Sequence, residues 1–168
     1  MASCILTTKD ISILETMLER NPETTSPLAS LMRAKIAAAT IVFRDDVPET
    51  VVTLNSRVSY RVDGGEPDTR IVAQAHMNSA VGCFLPVTTM RGLALLGMME
   101  GETVRIPGRG RVMEEIELLA VLHQPEAAQR RKLAGPRPAV PALRLIHGGK
   151  VDRQPIAPFD DDWGPGSA

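Results

Sequence analysis

The sequence is poor in aromatic residues. Three Phe, one Tyr and one Trp make up 3% of its 168 residues. Proteins that stack on nucleic-acid bases, and pockets that enclose apolar ligands, both rely on aromatic side chains. The scarcity therefore argues against a base-stacking platform and against an aromatic-lined ligand site.

Net charge and long apolar runs are lacking as well. Lys and Arg total 19 and Asp and Glu total 20, so the net charge is −1 and no general field attracts a polyanion such as nucleic acid. No stretch approaches the roughly 18 to 20 consecutive apolar residues of a membrane span, so we expect no membrane partner. The two cysteines, Cys4 and Cys83, lie outside any C-x-x-C motif, which favours free thiols and a cytoplasmic protein.

Motifs that carry catalysis are also missing. The sequence contains no H-E-x-x-H, no phosphate-binding G-x-x-x-x-G-K-[ST] and no G-x-S-x-G. The three histidines have no cysteine partner at metal-ligand spacing: His76, His123 and His147. We therefore expect no catalytic residue, no metal and no cofactor, and we interpret the chain as a binding module.

A cluster of glutamates is the nearest approach to a pair of catalytic carboxylates. Glu114, Glu115 and Glu117 lie in one predicted strand. Alternation along a strand puts Glu115 and Glu117 on one face and Glu114 on the other. We interpret these residues as part of a solvated strand face.

Residues 1–42 predict two short amphipathic helices. Thr7 and Asp10 form an imperfect capping box before apolar residues at positions 11, 14 and 18, and Asn21-Pro22 ends that helix. Ser26-Pro27 begins the second helix. Because only about five residues join the helices, an antiparallel hairpin is expected. The alternative is that both helices cover a face of the sheet.

Residues 43–128 predict an α+β domain. A helix is expected over residues 89–96, capped by Thr88 or Thr89 and ended by Gly97. A turn is expected at 107–110. The expected architecture is a twisted, mostly antiparallel sheet packed against this one helix. The predicted strands cover residues 51–54, 57–62, 70–73, 103–106 and 113–122.

Residues 129–168 differ in composition from the rest. Six of the 13 prolines fall here, after the basic run at 130–132. Each proline removes a backbone donor and disfavours helix before it, so a mostly disordered tail is expected. Two alternatives stay open: a partner-binding peptide around Phe159 and Trp163, and an apolar segment over 140–146 that docks as a strand.

Three segments resemble a known family. Residues 46–58 are similar to the chain leading into the first strand of the regulator of nucleoside diphosphate kinase (Rnk) group, and residues 118–128 resemble the end of that domain. Between them, Thr89-Met90-Arg91-Gly92-Leu93-Ala94-Leu95-Leu96-Gly97 and then Glu100-Gly101-Glu102 are similar to the S-P-x-G-x-A-L-L-G…x-G-D stretch of the GreA/GreB transcription elongation factors.

This resemblance implies a fold and a partner. The fold would be a short N-terminal antiparallel helical hairpin, or short coiled coil, followed by an FKBP-like domain of the GreA/GreB C-terminal type. The partner would be RNA polymerase, with the domain on the rim of the secondary channel and the hairpin pointing into it. Contact with DNA would then occur only through the transcription complex.

The resemblance also implies where the polymerase would bind. In Gre factors the corner before the domain's helix helps to contact the polymerase, and the hairpin tip enters the channel. Met90 stands where the Gre pattern has proline, which predicts a different affinity or orientation. The expected polymerase-binding residues are those of the tip and the corner: Asn21, Glu23, Thr24, Thr25, Thr88, Thr89, Met90 and Arg91.

Two features argue against the chemistry of Gre factors, which hold a catalytic Mg²⁺ with acidic side chains at the tip of a long coiled coil. Helices of about 12–13 residues here would be only about 18–20 Å long. The tip contains a single acid, Glu23, whereas a hard cation needs several oxygen ligands. We therefore predict a non-enzymatic transcription regulator that competes with Gre factors without stimulating transcript cleavage.

Two alternatives accompany this prediction. The name of the group suggests a direct protein regulator of nucleoside diphosphate kinase, although no residue points to that partner. The FKBP-like fold suggests prolyl isomerisation, which needs a pocket of aromatic rings. The domain offers Tyr60 and Phe84, with Phe43 at its border, which is too few for such a pocket.

Overall fold

A computed structural model describes residues 4–20, 26–74, 82–108 and 112–135. In these ranges the chain has four helices and seven strands in a mixed α+β arrangement. A five-stranded sheet has the order β5-β4-β3-β7-β6, and β1 and β2 form a separate two-stranded sheet. In chain order the elements are β1 (Ile5–Thr7), α1 (Thr8–Arg20), α2 (Pro27–Ala38), β2 (Thr40–Val42), β3 (Arg57–Val62), β4 (Asp68–Ala73), β5 (Phe84–Pro86), α3 (Met90–Leu95), β6 (Thr103–Pro107), β7 (Met113–His123) and α4 (Pro125–Ala134).

The five-stranded sheet and α3 enclose the main core. Strand β3 pairs antiparallel with β4 and with β7, and β6 pairs antiparallel with β7, whereas β4 and β5 are parallel. Alternate residues of β3, Val58 and Tyr60, are buried beside Ile116 and Leu118 of β7 and Leu93 of α3. The predicted mostly antiparallel sheet is confirmed, and α3 is the helix that was expected to pack against it.

The predicted strand at 51–54 is wrong. Val51 forms only an isolated antiparallel bridge with Met99. The backbone N–H of Val52 donates to the Met98 carbonyl (2.9 Å), and the Val52 carbonyl accepts from Gly97 N–H (2.8 Å). Val51 and Val52 are fully buried, so the β-branched run reflects burial in a loop under α3, because apolar side chains alone do not specify a strand.

The first helix begins as the sequence predicts. The Thr7 hydroxyl accepts from Asp10 N–H (3.1 Å) and Asp10 Oδ2 accepts from Thr7 N–H (3.3 Å), which is the reciprocal pair of a capping box. The Thr7 hydroxyl also donates to Asp10 Oδ2 (2.8 Å). Asp10 Oδ1 also accepts from Leu54 N–H (3.3 Å), which ties α1 to the domain. Burial raises the pKa of the Asp10 carboxyl above its ordinary value.

The parallel pairing of β1 with β2 was not predicted. Ile5 is aligned with Thr40, and the Ile5 N–H donates to the Gly97 carbonyl (2.9 Å). Parallel strands need a long connection between them, which α1 and α2 provide here. Strands of three residues are too short for their alternation to be recognised in the sequence.

The second helix contacts both α1 and α3, and the contact with α3 was not predicted from the sequence. Ser26, just before α2, lines the same pocket as Thr88, just before α3. Near the other end of α2, Lys35 Nζ donates to the Leu96 carbonyl (2.5 Å). Met32 is buried in the same apolar cluster as the sheet. This contact removes the apolar face of α2 from water. α2 thus packs on α3, whereas the alternative to the hairpin placed both helices on a face of the sheet.

A fourth helix corrects the expected start of the tail. α4 extends to Ala134, so residues 129–134 are helical. Arg130 donates from its guanidinium to the carbonyls of Arg44 (3.0 Å) and Val47 (2.9 Å), which fixes α4 on the domain. The predictions for Phe159 and Trp163 and for residues 140–146 lie outside the described residues. Among the helices of the described ranges, none is long and apolar enough to cross a membrane.

Candidate functional site

The corner between β5 and α3 is held by a threonine cap. The Thr89 hydroxyl accepts from Gly92 N–H (3.2 Å) and donates to the Pro86 carbonyl (2.7 Å). This arrangement satisfies one of the backbone donors that the first turn of a helix leaves unpaired. The sequence-based prediction of a helix capped by Thr88 or Thr89 is therefore resolved in favour of Thr89.

Gly92 sets how closely α3 approaches β5. A Cβ atom at this position would lie 2.1 Å from the Pro86 carbonyl oxygen and 2.7 Å from its carbon. Only glycine allows so short an approach between two backbones. The glycine of the Gre-like stretch thus fixes the position of the whole corner.

A cleft of about 580 Å³ opens beside the corner. Thr89, Met90 and Arg91 line one wall, and Pro107, Gly108 and Glu114 line another, with Leu85 between them. None of these seven lining residues is aromatic. Tyr60, which the isomerase alternative would need in the pocket, is buried in the core, and Phe43 is 70% exposed. The described lining of the cleft therefore offers no aromatic side chain of the kind that the isomerase alternative needs.

An ion pair spans this cleft. Arg91 Nε lies 2.7 Å from Glu114 Oε2, and the Arg91 side chain is 44% exposed whereas that of Glu114 is 16% exposed. The hydrogen bond to Glu114 raises the pKa of the Arg91 guanidinium. The Arg91 guanidinium is thus the more accessible partner of the ion pair, and a ligand that enters the cleft can contact it more readily than the Glu114 carboxylate.

A smaller apolar pocket also borders the corner. It has a volume of about 210 Å³ and lies between α1, α2 and Thr88. Its other lining residues are Met17, Leu18, Ser26, Leu28, Ala29 and Met32. The corner Thr88–Arg91 thus borders both hollows: Thr88 lines the apolar pocket, and Thr89, Met90 and Arg91 line the charged cleft.

The predicted corner residues lie together, and Thr88 and Arg91 are exposed while Thr89 and Met90 are partly buried. The predicted tip residues Asn21, Glu23, Thr24 and Thr25 lie outside the described residues. Ser26, which follows these residues in the chain, lines the same apolar pocket as Thr88.

The three glutamates of β7 are divided as the strand alternation predicts. Glu115 pairs with Arg105 of β6 (2.8 Å), and Glu117 pairs with Arg61 of β3 (2.6 Å), each directly across the sheet. Glu114 instead binds Arg91 of α3. The pairs of Glu115 and Glu117 are cross-strand ion pairs on a partly exposed face of the sheet. For these two residues the interpretation of a solvated strand face agrees with the structure.

Sequence patterns did not reveal the apolar pocket or the role of Glu114. The apolar residues at positions 11, 14 and 18 predict a buried face of the first helix, but not the cavity left between the two helices. Glu114 is distant in sequence from Arg91, so only the position of β7 beside α3 brings the two together. Within the described ranges no group of three or more His, Cys, Asp or Glu residues could hold a metal ion.

Comparison with known proteins first identifies the class of fold. A solved structure described as the prokaryotic transcription elongation factor GreA/GreB from Nitrosomonas europaea matches with a TM-score of 0.57 and 25% identity. The match covers 73% of this chain and 100% of that one. The protein therefore has a GreA/GreB-like α+β fold. No family model matches the chain.

The family follows from curated relatives. The chain is 30% identical over 125 residues to the regulator of nucleoside diphosphate kinase of Escherichia coli (strain K12), a match that covers 74% of this chain and 92% of the relative. The protein of the same name from Shigella flexneri matches to the same extent. The chain belongs to the family of regulators of nucleoside diphosphate kinase.

Proposed function

We propose that this protein is a non-enzymatic regulator of transcription that binds RNA polymerase near the secondary channel. It competes there with Gre-type elongation factors and does not stimulate transcript cleavage. The proposal is supported by the GreA/GreB-like fold and by the corner Thr88–Arg91, where the chain carries its Gre-like stretch. The tip residues Asn21, Glu23, Thr24 and Thr25 would complete the contact.

One observation carries the distinction from cleavage factors. α1 and α2 have 13 and 12 residues, so neither is longer than about 20 Å, and α2 lies against α3. Such helices can occupy the mouth of a channel but reach less far than a projecting coiled coil. The one acid of the tip, Glu23, would supply a single carboxylate to a metal ion.

The test uses stalled elongation complexes of a bacterial RNA polymerase. Transcript cleavage is measured with this protein, with a Gre cleavage factor and with both together. We expect no cleavage above the intrinsic rate with this protein alone, and a progressive loss of Gre-stimulated cleavage as its concentration rises. Cleavage at the level of a Gre factor, or no competition at saturating concentration, would contradict the proposal.

The relatives' name motivates a parallel experiment on nucleoside diphosphate kinase. Purified kinase and purified polymerase are offered separately to the immobilised protein. Since the proposed partner is the polymerase, we expect the immobilised protein to retain the polymerase and not the kinase. Any effect on the kinase would then be indirect, through transcription. Retention of the kinase alone would favour the direct regulator.

A further inference from the structure

The apolar pocket beside the corner has the dimensions of a site for one large side chain. Its volume is about 210 Å³, and an apolar cavity of about 150 Å³ is enough for a benzene ring. Ala29 and Met32 are almost fully buried there, while Met17, Leu18 and Leu28 are partly accessible. Among the described residues that line it, Ser26 and Thr88 are polar and the others are apolar.

The pocket and the charged cleft belong to one surface. Thr88 lines the pocket and Arg91 lines the cleft, and three residues of chain span at most about 11 Å. A single partner segment can therefore contact both. The exposed guanidinium of Arg91 favours a negative group at the second position, because its partner Glu114 is largely covered.

We propose that the pocket is an anchor site for RNA polymerase, occupied by a segment that presents one large apolar side chain with a carboxylate close by. The apolar side chain enters between α1 and α2, and the carboxylate binds Arg91. Buried apolar anchors of this kind provide much of the affinity of protein interfaces. The inference rests on the proposed function and adds the chemistry of the polymerase segment to it.

The first variant fills the pocket from inside. Ala29→Leu adds a side chain on the pocket wall, and Ala34→Leu is the matched control on an exposed position of the same helix. We expect Ala29→Leu to weaken polymerase binding at least tenfold and Ala34→Leu to change it less than twofold. Thermal unfolding followed by circular dichroism establishes that each variant is folded. Leu28→Ala, which removes a pocket wall, is expected to weaken binding at least threefold and serves if Ala29→Leu does not fold.

The second variant tests the charge at the cleft. The double substitution Arg91→Glu with Glu114→Arg retains an ion pair but places the acid at the more exposed position. We expect binding at least tenfold weaker than that of the unmodified protein, and a smaller loss of affinity when salt is raised, because the attraction has been removed. Unchanged affinity in this variant would refute the proposed contact between Arg91 and a carboxylate of the polymerase segment.

The outcomes separate the anchor site from the function itself. If the unmodified protein does not bind polymerase, the proposed function is wrong. If it binds and Ala29→Leu binds equally well, the anchor site is wrong and the proposed function stands. Sedimentation that shows self-association abolished by Ala29→Leu would assign the pocket to a second copy of this chain and would also overturn the anchor site.

Discussion

Replacement of Gly92 by alanine tests whether the close approach of α3 to β5 is as tight as the structure has it. The new Cβ would lie 2.1 Å from the Pro86 carbonyl oxygen, and ordinary contact begins at 3.4 Å, so 3.4 minus 2.1 leaves a shortfall of 1.3 Å. The obstructing atoms belong to the backbone and cannot rotate away. Either α3 or β5 must therefore move by about 1 Å.

The expected cost follows from two opposing effects. Overpacking in a core costs about 1–3 kcal/mol, and a clash with backbone belongs at the upper end of that range. Alanine in place of glycine favours a helix by about 1 kcal/mol. We expect Gly92→Ala to lower the free energy of unfolding by about 2 kcal/mol, and Tm by about 8 °C at roughly 4 °C per kcal/mol.

Urea denaturation followed by far-ultraviolet circular dichroism measures this loss. The signal reports backbone structure and does not depend on the single tryptophan, Trp163, which lies outside the described residues. Gly135→Ala is the control, because its Cβ would meet its nearest atom at an ordinary 3.5 Å, and we expect a change within about 0.5 kcal/mol. A Gly92→Ala variant as stable as the unmodified protein would refute the packing argument.

Three further predictions concern single side chains, each checked by urea denaturation. Burial raises the pKa of Asp10, so the folded state holds this proton more tightly than the unfolded state and stability falls as pH rises above about 4. Asp10→Asn should flatten that fall, and an unchanged slope between pH 4 and 7 would contradict it. Lys35→Ala should cost about 1–3 kcal/mol because the buried Leu96 carbonyl loses its donor, and a change below 0.5 kcal/mol would refute this. Thr89→Ala should cost about 1 kcal/mol whereas Thr89→Ser retains the cap, and equal stability of these two variants would argue against the cap.

The sequence was sufficient for the elements whose signals are local. The capping pair Thr7 and Asp10, the cap before α3 and the glycine at position 97 each act over three or four residues, and the structure has each where it was predicted. Gly97 adopts a φ of +81°, as the end of a helix before a glycine often requires. Hydrogen bonds and backbone conformations that involve only neighbouring residues can therefore be predicted from the local sequence.

Features that depend on distant contacts were not predictable in this way. The valines at 51 and 52 resemble a strand because burial and β-formation select the same side chains. α4 was missed because its charged residues resembled the tail, although Pro125 at its first turn is a recognisable start signal. The contact of α2 with the end of α3 includes the hydrogen bond from Lys35 to the Leu96 carbonyl. No local sequence pattern indicates that these two residues meet.

The same distinction applies to the candidate site. The residues of the corner were found through their Gre-like stretch, and their local geometry followed from the cap. The two hollows beside the corner arise from the packing of α1, α2 and β7 around it. A cavity forms only where several elements pack together. The sequence therefore identified the residues of the corner but not the two cavities beside it.

The pairing of β1 with β2 has a consequence for how this fold can vary. The chain enters α1 after Thr7 and returns from α2 at Thr40, and the pairing fixes both points, with Thr7 opposite Val42 and Thr40 opposite Ile5. Helices α1 and α2 therefore start and end at a fixed two-stranded base, in addition to the contacts that α1 makes with Leu54 and α2 with Leu96. Whole turns, each of about 3.6 residues, can be added to both helices at the far end without disturbing that base, which makes the span of the two helices adjustable in evolution or by design.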